Sequence, residues 1–570
     1  MAKLPISDRG EMLIKSFTIL IFASIIVSCT NGILSSSPNS QNLCTGNALT
    51  SSPFALGTGT SQDPFIICTP TQMNAIGANS LNWSQSFALG RDIDLSSFSG
   101  TQFNIIGNAG TVFSGSFYGH GFTISNFNYA TNNSNYVGLF GYVTGKIGGI
   151  KLSNPSVSVA VTGNYAGALI GYLNGGTVSD CKVVAGSVLG FGNVGGLVGG
   201  MDLSATGSDL YASGTVSNSG GNSVGGLVGL VTGAGTNLSR TSSSVNVSST
   251  GSDTGGLVGT LTSNASISFS TSYSIVNSTT GSNVGGFAGS VSSNSSISQS
   301  FSAGSATSVS GNNVGGFAGI INFSSTVSSC YSTASVSSST GSAIGGLAGV
   351  VYASSSISNS YASGNVLAAT SMNVGGLVGA FASSDPSTLF QSFATGNVSG
   401  SSNVGGLVGY VSQLTAGGSI SQCYATGIVN AASNYAGGLI GFINTAAGGG
   451  TLTNSYARGS VTGASFVGGL IGSVTSSAFP VSYSYSSGIV SSGGTKGGLV
   501  GSDPFTAGYA ACYFDSTASP FVANGSGATA GMTGTSTANM QLSSTFSGAG
   551  WAPAAWNLSS GNYLKLSFQP

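Results

Sequence analysis

Hydrophobic residues along the chain come in bursts of two or three, set between glycines or single small polar residues. That spacing suits strands of a few residues each and no helix. The most regular burst starts as Tyr136-Val137-Gly138-Leu139-Phe140-Gly141 and recurs as Val194-Gly195-Gly196-Leu197-Val198-Gly199, Val284-Gly285-Gly286-Phe287-Ala288-Gly289 and Val374-Gly375-Gly376-Leu377-Val378-Gly379. It closes with Gly497-Gly498-Leu499-Val500-Gly501. Thirteen copies have their final glycines at 141, 171, 199, 229, 259, 289, 319, 349, 379, 409, 441, 472 and 501, a period of 30 residues that varies only from 28 to 32. A second burst lies between them: an aliphatic residue, small polar residues, an aromatic, a Gly and a Val, as in Ile357 to Val366, Ile420 to Val429 and Leu452 to Val461.

A unit of about 30 residues with two or three short strands cannot bury a face alone and must stack on its neighbours. The pattern predicts an all-β chain, a right-handed parallel β-helix (solenoid) of about thirteen coils over residues 136–501. At about 4.8 Å per coil it makes a rod of roughly 60 Å. The Gly pairs are expected to supply turns with positive φ and to let coils approach closely. Residues 44–135, read as an N-terminal cap with the first coils, and 502–570, read as a C-terminal cap, are less repetitive and hold Trp83, Trp551 and Trp556. In the first, Thr69-Pro70-Thr71-Gln72 has the form of a capping box. A short helix over Met73 and Ile76, ending at Gly77, is expected to plug that end.

The N-terminus departs from this pattern. Lys3, Arg9 and Lys15 precede an apolar run from Phe17 to Val27, too short to span a bilayer. The ending Ile26-Val27-Ser28-Cys29 resembles a bacterial lipobox, with Ile where Leu is usual. Residues 1–28 are read as a signal peptide, Cys29 as the lipidated first residue of the mature chain and 29–43 as a tether. Met12 is an alternative start, and an ordinary secretory signal an alternative to lipidation.

Composition sharpens the picture. The 570 residues include 93 Gly but only 11 Lys+Arg, 12 Asp+Glu and one His, against about 25% charged residues in ordinary domains. Processing after Ser28 removes Lys3, Arg9, Lys15, Asp8 and the single Glu, Glu11, leaving 8 basic and 10 acidic residues. Nucleic acid is excluded as a partner because no basic excess exists to displace counterions. Stacked like charges about 4.8 Å apart would repel, so low charge is itself expected of a regular solenoid.

The Val-Gly-Gly-Leu-Val-Gly strand, the 30-residue period and the Ser-Tyr-Ala-x-Gly-x-Val element resemble the GLUG-motif repeats of bacterial secreted and surface proteins. These include adhesin-like proteins and a repeat region in some immunoglobulin A peptidases. The resemblance implies a surface context. It does not carry over the peptidases' catalysis, whose zinc motif needs two His and a Glu; this chain has one His and, once processed, no Glu.

Among the seven Cys, Cys44 and Cys68 flank the N-terminal cap and are candidates for a disulfide in an exported protein. Cys181, Cys330, Cys423 and Cys512 take a slot that holds Ser360, Ser392 or Ser455 elsewhere, and are read as packing residues. An aromatic slot recurs as Tyr211, Phe301, Tyr331, Tyr361, Phe393, Tyr424, Tyr456, Tyr485 and Tyr513. Strand phase leaves two readings open: an inward core ladder, or an outward platform for sugar rings or a partner protein with Tyr331, Tyr361, Phe393, Tyr424, Tyr456 and Tyr485 as its residues. Asp92, Asp94 and His120 are read as structural. Asp180 and Asp209 come from neighbouring repeats but are placed at different repeat positions. No catalytic residue, metal site or cofactor is expected.

These readings converge on a lipid-anchored, non-enzymatic surface protein, adhesive or structural, tied to a membrane through its lipid and presenting its rod to a host protein or glycan. The alternative is a polysaccharide-binding or polysaccharide-active β-helix, which for catalysis needs carboxylates gathered from adjacent coils.

Overall fold

The computed structural model describes residues 43–45, 53–54, 56–382, 385–444, 449–475, 479–505 and 508–569. The expected signal segment, Cys29 and the tether up to residue 42 lie outside the described residues.

The chain winds into a parallel β-solenoid. A typical coil runs through strands Ser342–Gly345, Ala348–Val351, Ser356–Ser358 and Tyr361–Ala362, and each pairs in parallel with its counterpart one coil later. The Gly-rich strands form a thirteen-stranded sheet from Phe140–Val143 to Val500–Ser502. The Ser356–Ser358 type forms a sixteen-stranded sheet that starts earlier, at Phe65–Ile67, and ends later, at Tyr509–Ala510. Regular stacking thus continues into both flanks.

One side-chain row per strand fills the interior. In a single coil Ile344, Leu347, Val351, Ile357, Ala362 and Val366 are all fully buried, and Val374, Leu377, Phe381, Leu389, Ala394 and Val398 repeat the set in the next. Each buried Leu, Ile or Val contributes about 1.5–3 kcal/mol, and each coil rests only on its neighbours.

The Gly pairs serve close approach, and none of Gly345, Gly346 and their equivalents Gly375 and Gly376 has positive φ. A Cβ on Gly345 would sit 2.0 Å from the Ala348 carbonyl oxygen, and one on Gly346 2.1 Å from the Gly376 carbonyl oxygen of the next coil and 2.9 Å from the Ala362 methyl across the interior. The expectation that the pairs turn the chain through positive φ is therefore corrected. That task falls to non-Gly residues at a corner after the middle strand: Asn359 (φ 49°), Gln391 (46°), Gln422 (52°) and Asn454 (48°). The strain of that conformation is offset because each corner N–H donates to a carbonyl one coil on, as from Asn359 to Phe390 at 3.1 Å and from Gln422 to Thr453 at 3.2 Å.

At the N-terminal end, helix α1 (Pro70–Ala78) packs Met73 and Ile76 onto the first coils. The Thr69 hydroxyl accepts from the Gln72 N–H at 3.1 Å, and the Gln72 side chain reaches back to accept from the Cys68 N–H at 2.7 Å. The helix runs through Gly77 instead of ending there. Gly77 is needed for contact, because a Cβ would lie 1.8 Å from the Asn104 carbonyl oxygen. Trp83 locks the helix by donating its indole N–H to the Ile76 carbonyl at 2.8 Å.

Candidate functional site

Two side-chain ladders decide what the outer surface can offer. The first is the Ser/Cys slot. The Ser392 hydroxyl donates to the Phe390 carbonyl at 2.8 Å and accepts from the N–H of Ser360, one coil before, at 3.2 Å; Ser455 repeats this with Thr453 and Cys423. Cys330 and Cys423 occupy equivalent places, each donating its thiol to the carbonyl two residues back at 3.2 Å. Burial pushes the thiols of Cys181, Cys330, Cys423 and Cys512 up to about 12. They are packing residues and not nucleophiles. Cys44 and Cys68 form a disulfide with a Cα separation of 5.5 Å.

The second is the aromatic slot, which the strand register stacks in one line: Phe301, Tyr331, Tyr361, Phe393, Tyr424, Tyr456 and Tyr485. Successive ring centroids are 4.6–5.0 Å apart with interplanar angles of 2–7°. The line lies outside the solenoid core and belongs to a separate apolar cluster. Neither sequence reading describes it fully. Tyr424, Tyr456 and Tyr485 are buried, not by the solenoid but by the chain's own C-terminal segment, whose Phe546, Trp551, Trp556, Leu564 and Leu566 fold back over them. Tyr331, Tyr361 and Phe393 remain half-buried. Their ring faces are taken up by one another, which leaves edges and hydroxyls outward, and a platform for stacking sugar rings on these residues is corrected accordingly.

Arg458 latches the C-terminal segment. Its guanidinium lies 4.7 Å from the centre of the Tyr456 ring and donates to the carbonyls of Tyr563 at 2.9 Å and Leu564 at 2.7 Å and to the Tyr485 hydroxyl. The Tyr485 hydroxyl in turn donates to the Leu564 carbonyl at 2.6 Å.

A further aromatic surface, which the sequence reading missed, covers the outside of the Gly-rich sheet. It uses two rows: the residue before the Val/Ala-Gly pair and the residue after the final Gly. At one end these rows hold Tyr136 and Tyr165, and Tyr142 and Tyr172, all half-buried. Tyr136 and Tyr165 stack at 5.4 Å, while Tyr142 and Tyr172 meet at 5.2 Å with a 54° tilt, and Tyr165 and Tyr172 at 4.5 Å with a 59° tilt. Gly200 follows Tyr172 in register, and the Tyr165 ring lies across it: a Cβ there would sit 2.6 Å from the ring. The Tyr172 hydroxyl donates to Asp202 at 3.1 Å, and Asn174 stands in register beside Asp202. Burial first, and the Asp202 carboxylate second, push the Tyr172 hydroxyl far above its ordinary range. Further along, the first row becomes an amide ladder, Asn283 donating to Asp253 at 2.7 Å and Asn313 to Asn283 at 2.8 Å. Aromatics return as Tyr410, Tyr435, Phe442 and Phe466. The legible signal was an aromatic directly after the final Gly of a repeat.

The acids sit apart. Asp180 and Asp209 occupy the same repeat position, the left-handed corner, at φ 47° and 56°. This corrects the sequence placement; the 28-residue repeat hid their alignment. Asp209 is engaged by Arg240 through two contacts at 2.8 and 2.9 Å. Asp92 accepts from the Thr123 N–H and Asp94 from the Ser96 N–H and the Asn126 amide, each fastening adjacent turns. Among the described residues no group of three or more His, Cys, Asp or Glu is placed to hold a metal ion.

With this geometry in hand, the comparisons place the repeats. The GLUG motif matches at residues 340–367 and 400–430, each spanning a Gly-rich strand or its neighbouring bursts. The chain is 33% identical over 183 residues to halomucin of Haloquadratum walsbyi, covering 30% of this chain and 2% of halomucin. It is also 33% identical over 147 residues to a candidate Gly-rich membrane protein of Evansella cellulosilytica, covering 24% of this chain and 16% of that protein. The chain thus spans a small part of the length of these relatives. A crystal structure of a candidate immunoglobulin A1 protease from Bacteroides ovatus aligns with 92% of this chain and 98% of its own at 15% identity and a TM-score of 0.26, too low to support an argument. The protein is a GLUG-motif-containing parallel β-solenoid.

Proposed function

We propose that the protein is exported, anchored by a lipid on Cys29, and acts without catalysis as a rigid surface rod whose repeated outer rows make adhesive contacts. The observation that supports this best is the unbroken stack of coils. It repeats the same outward positions about every 4.8 Å and so multiplies weak contacts into avidity. The GLUG matches, and a relative named as a membrane protein, agree with a surface setting. The test pairs protease shaving of intact cells with adhesion of the purified protein to host cells and matrix proteins. Shaving should release solenoid fragments, Cys29→Ser should move the protein into the soluble fraction, and adhesion should exceed that of a scrambled-repeat control. Protection from protease together with no adhesion would defeat the proposal.

A further inference from the structure

We propose that the four-tyrosine patch on the outside of the Gly-rich sheet, with Asp202 and Asn174, is a binding site for a neutral polysaccharide lying along the rod. This rests on the adhesive reading above and names its ligand class. The argument begins with ring faces. In the Tyr331–Tyr361 line the rings eclipse one another at 2° and offer no face, whereas Tyr142 and Tyr172 are tilted by 54° and Tyr165 and Tyr172 by 59°. Tilted neighbours cannot cover one another, so ring faces at this patch are left to pack against the C–H face of a sugar. Gly200 keeps the next coil clear of the rings.

Polar groups sit where the hydroxyls of such a sugar would fall. The Asp202 carboxylate takes one bond from Tyr172 and one from the Leu203 N–H at 2.6 Å, and its remaining lone pairs can accept more. Asn174 offers both donor and acceptor in the same register. Charge selects among polymers. Between Tyr136 and Phe466 neither outer row contains a Lys or Arg, and Asp202 places a negative charge in the patch, so an anionic polymer is repelled and a neutral one is not. Repetition supplies direction. The amide ladder of Asp253, Asn283 and Asn313 continues the rows, and Tyr410, Tyr435, Phe442 and Phe466 close them with a second aromatic group. The coil spacing of about 4.8 Å is close to the length of one sugar residue, so successive sugars can meet successive coils.

The test uses the full chain and co-sedimentation or affinity gels with cellulose, chitin, galactomannan and a β-1,3-glucan as neutral polymers and alginate as the anionic one. Binding to at least one neutral polymer, weakened about tenfold or more by Tyr142→Ala/Tyr172→Ala but not by Tyr331→Ala/Tyr361→Ala, is expected. As a measurement on the unsubstituted chain, the bound polymer should protect Tyr142 and Tyr172 from nitration, read by mass spectrometry. Undiminished binding in Tyr142→Ala/Tyr172→Ala, or no protection, overturns the site. Preference for alginate, or binding to cells and matrix proteins with none to any polysaccharide, overturns the ligand class while leaving adhesion standing. Binding to neither class overturns both readings.

Discussion

At the residue scale the molecule replaces ions with hydroxyls and amides. Ser392 shows why: its Oγ satisfies a buried carbonyl and a buried N–H in adjacent coils at 2.8 and 3.2 Å, a job a charge could do only at a large desolvation cost. Ser392→Ala should destabilise the protein by about 1–3 kcal/mol, the cost of an unpaired buried donor, in urea unfolding. Ser392→Cys should cost much less, since Cys423 fills the same slot in the next coil. The thiols carry a second expectation. With Cys330 and Cys423 pushed from 9.0 up to about 12 by burial, alkylation by iodoacetamide at pH 8 should label neither until denaturant is added. The sign for stability follows: the unfolded chain releases these protons above pH 9 and the folded one holds them to about 12, so folding weakens as pH rises through that window. The Ser/Cys alternation was legible in the sequence, because a slot that accepts both is small and buried. The alignment of Asp180 with Asp209 was not, because register depends on where each coil gains or loses a residue.

At the element scale the Gly-rich strand is defined by what its backbone touches. Gly346 faces the Gly376 carbonyl of the next coil and the Ala362 methyl across the interior, at 2.1 and 2.9 Å from a hypothetical Cβ. Gly346→Ala should therefore cost about 3 kcal/mol, at the upper end of overpacking effects, and lower the thermal midpoint in circular dichroism. The same substitution at Gly493, whose Cβ would meet nothing within 4 Å, should leave the midpoint nearly unchanged. Sequence showed that glycine was required in pairs. Whether for turning or for contact could be decided only once the coils were stacked, since the clashing atoms lie 30 residues away.

At the scale of the whole molecule the C-terminal segment turns back and covers the end of the aromatic line. Asp515 anchors this fold: its carboxylate accepts from the Thr537 hydroxyl at 2.6 Å, from the Tyr563 hydroxyl, and from the Thr517 and Ala518 N–H groups. Burial raises its pKa, but these bonds outweigh burial and hold it below the ordinary 3.8. A depressed carboxylate stabilises the fold above its unfolded value and loses that contribution as pH falls through its folded one. Trp551 and Trp556 fluorescence should therefore report release of the segment below about pH 4. Asp515→Asn should flatten that acid transition. A Trp signal unchanged down to pH 2 would show that Asp515 does not hold the segment.

What the sequence alone determined was everything that repeats: the period, the strand order, the buried rows and the small-residue slots. Each is a local pattern copied thirteen times, and stacking is the one way such units can bury a face. What only the tertiary structure decided were relations across distance. It set the 54° tilt of Tyr142 and Tyr172 against the 2° eclipse of Tyr331 and Tyr361. It also brought Trp556 to Asn454, 102 residues away, with the indole N–H donating at 3.0 Å. Ring orientation and chain reversal depend on neighbours brought together by the coil, and those neighbours leave no local mark in the order of residues.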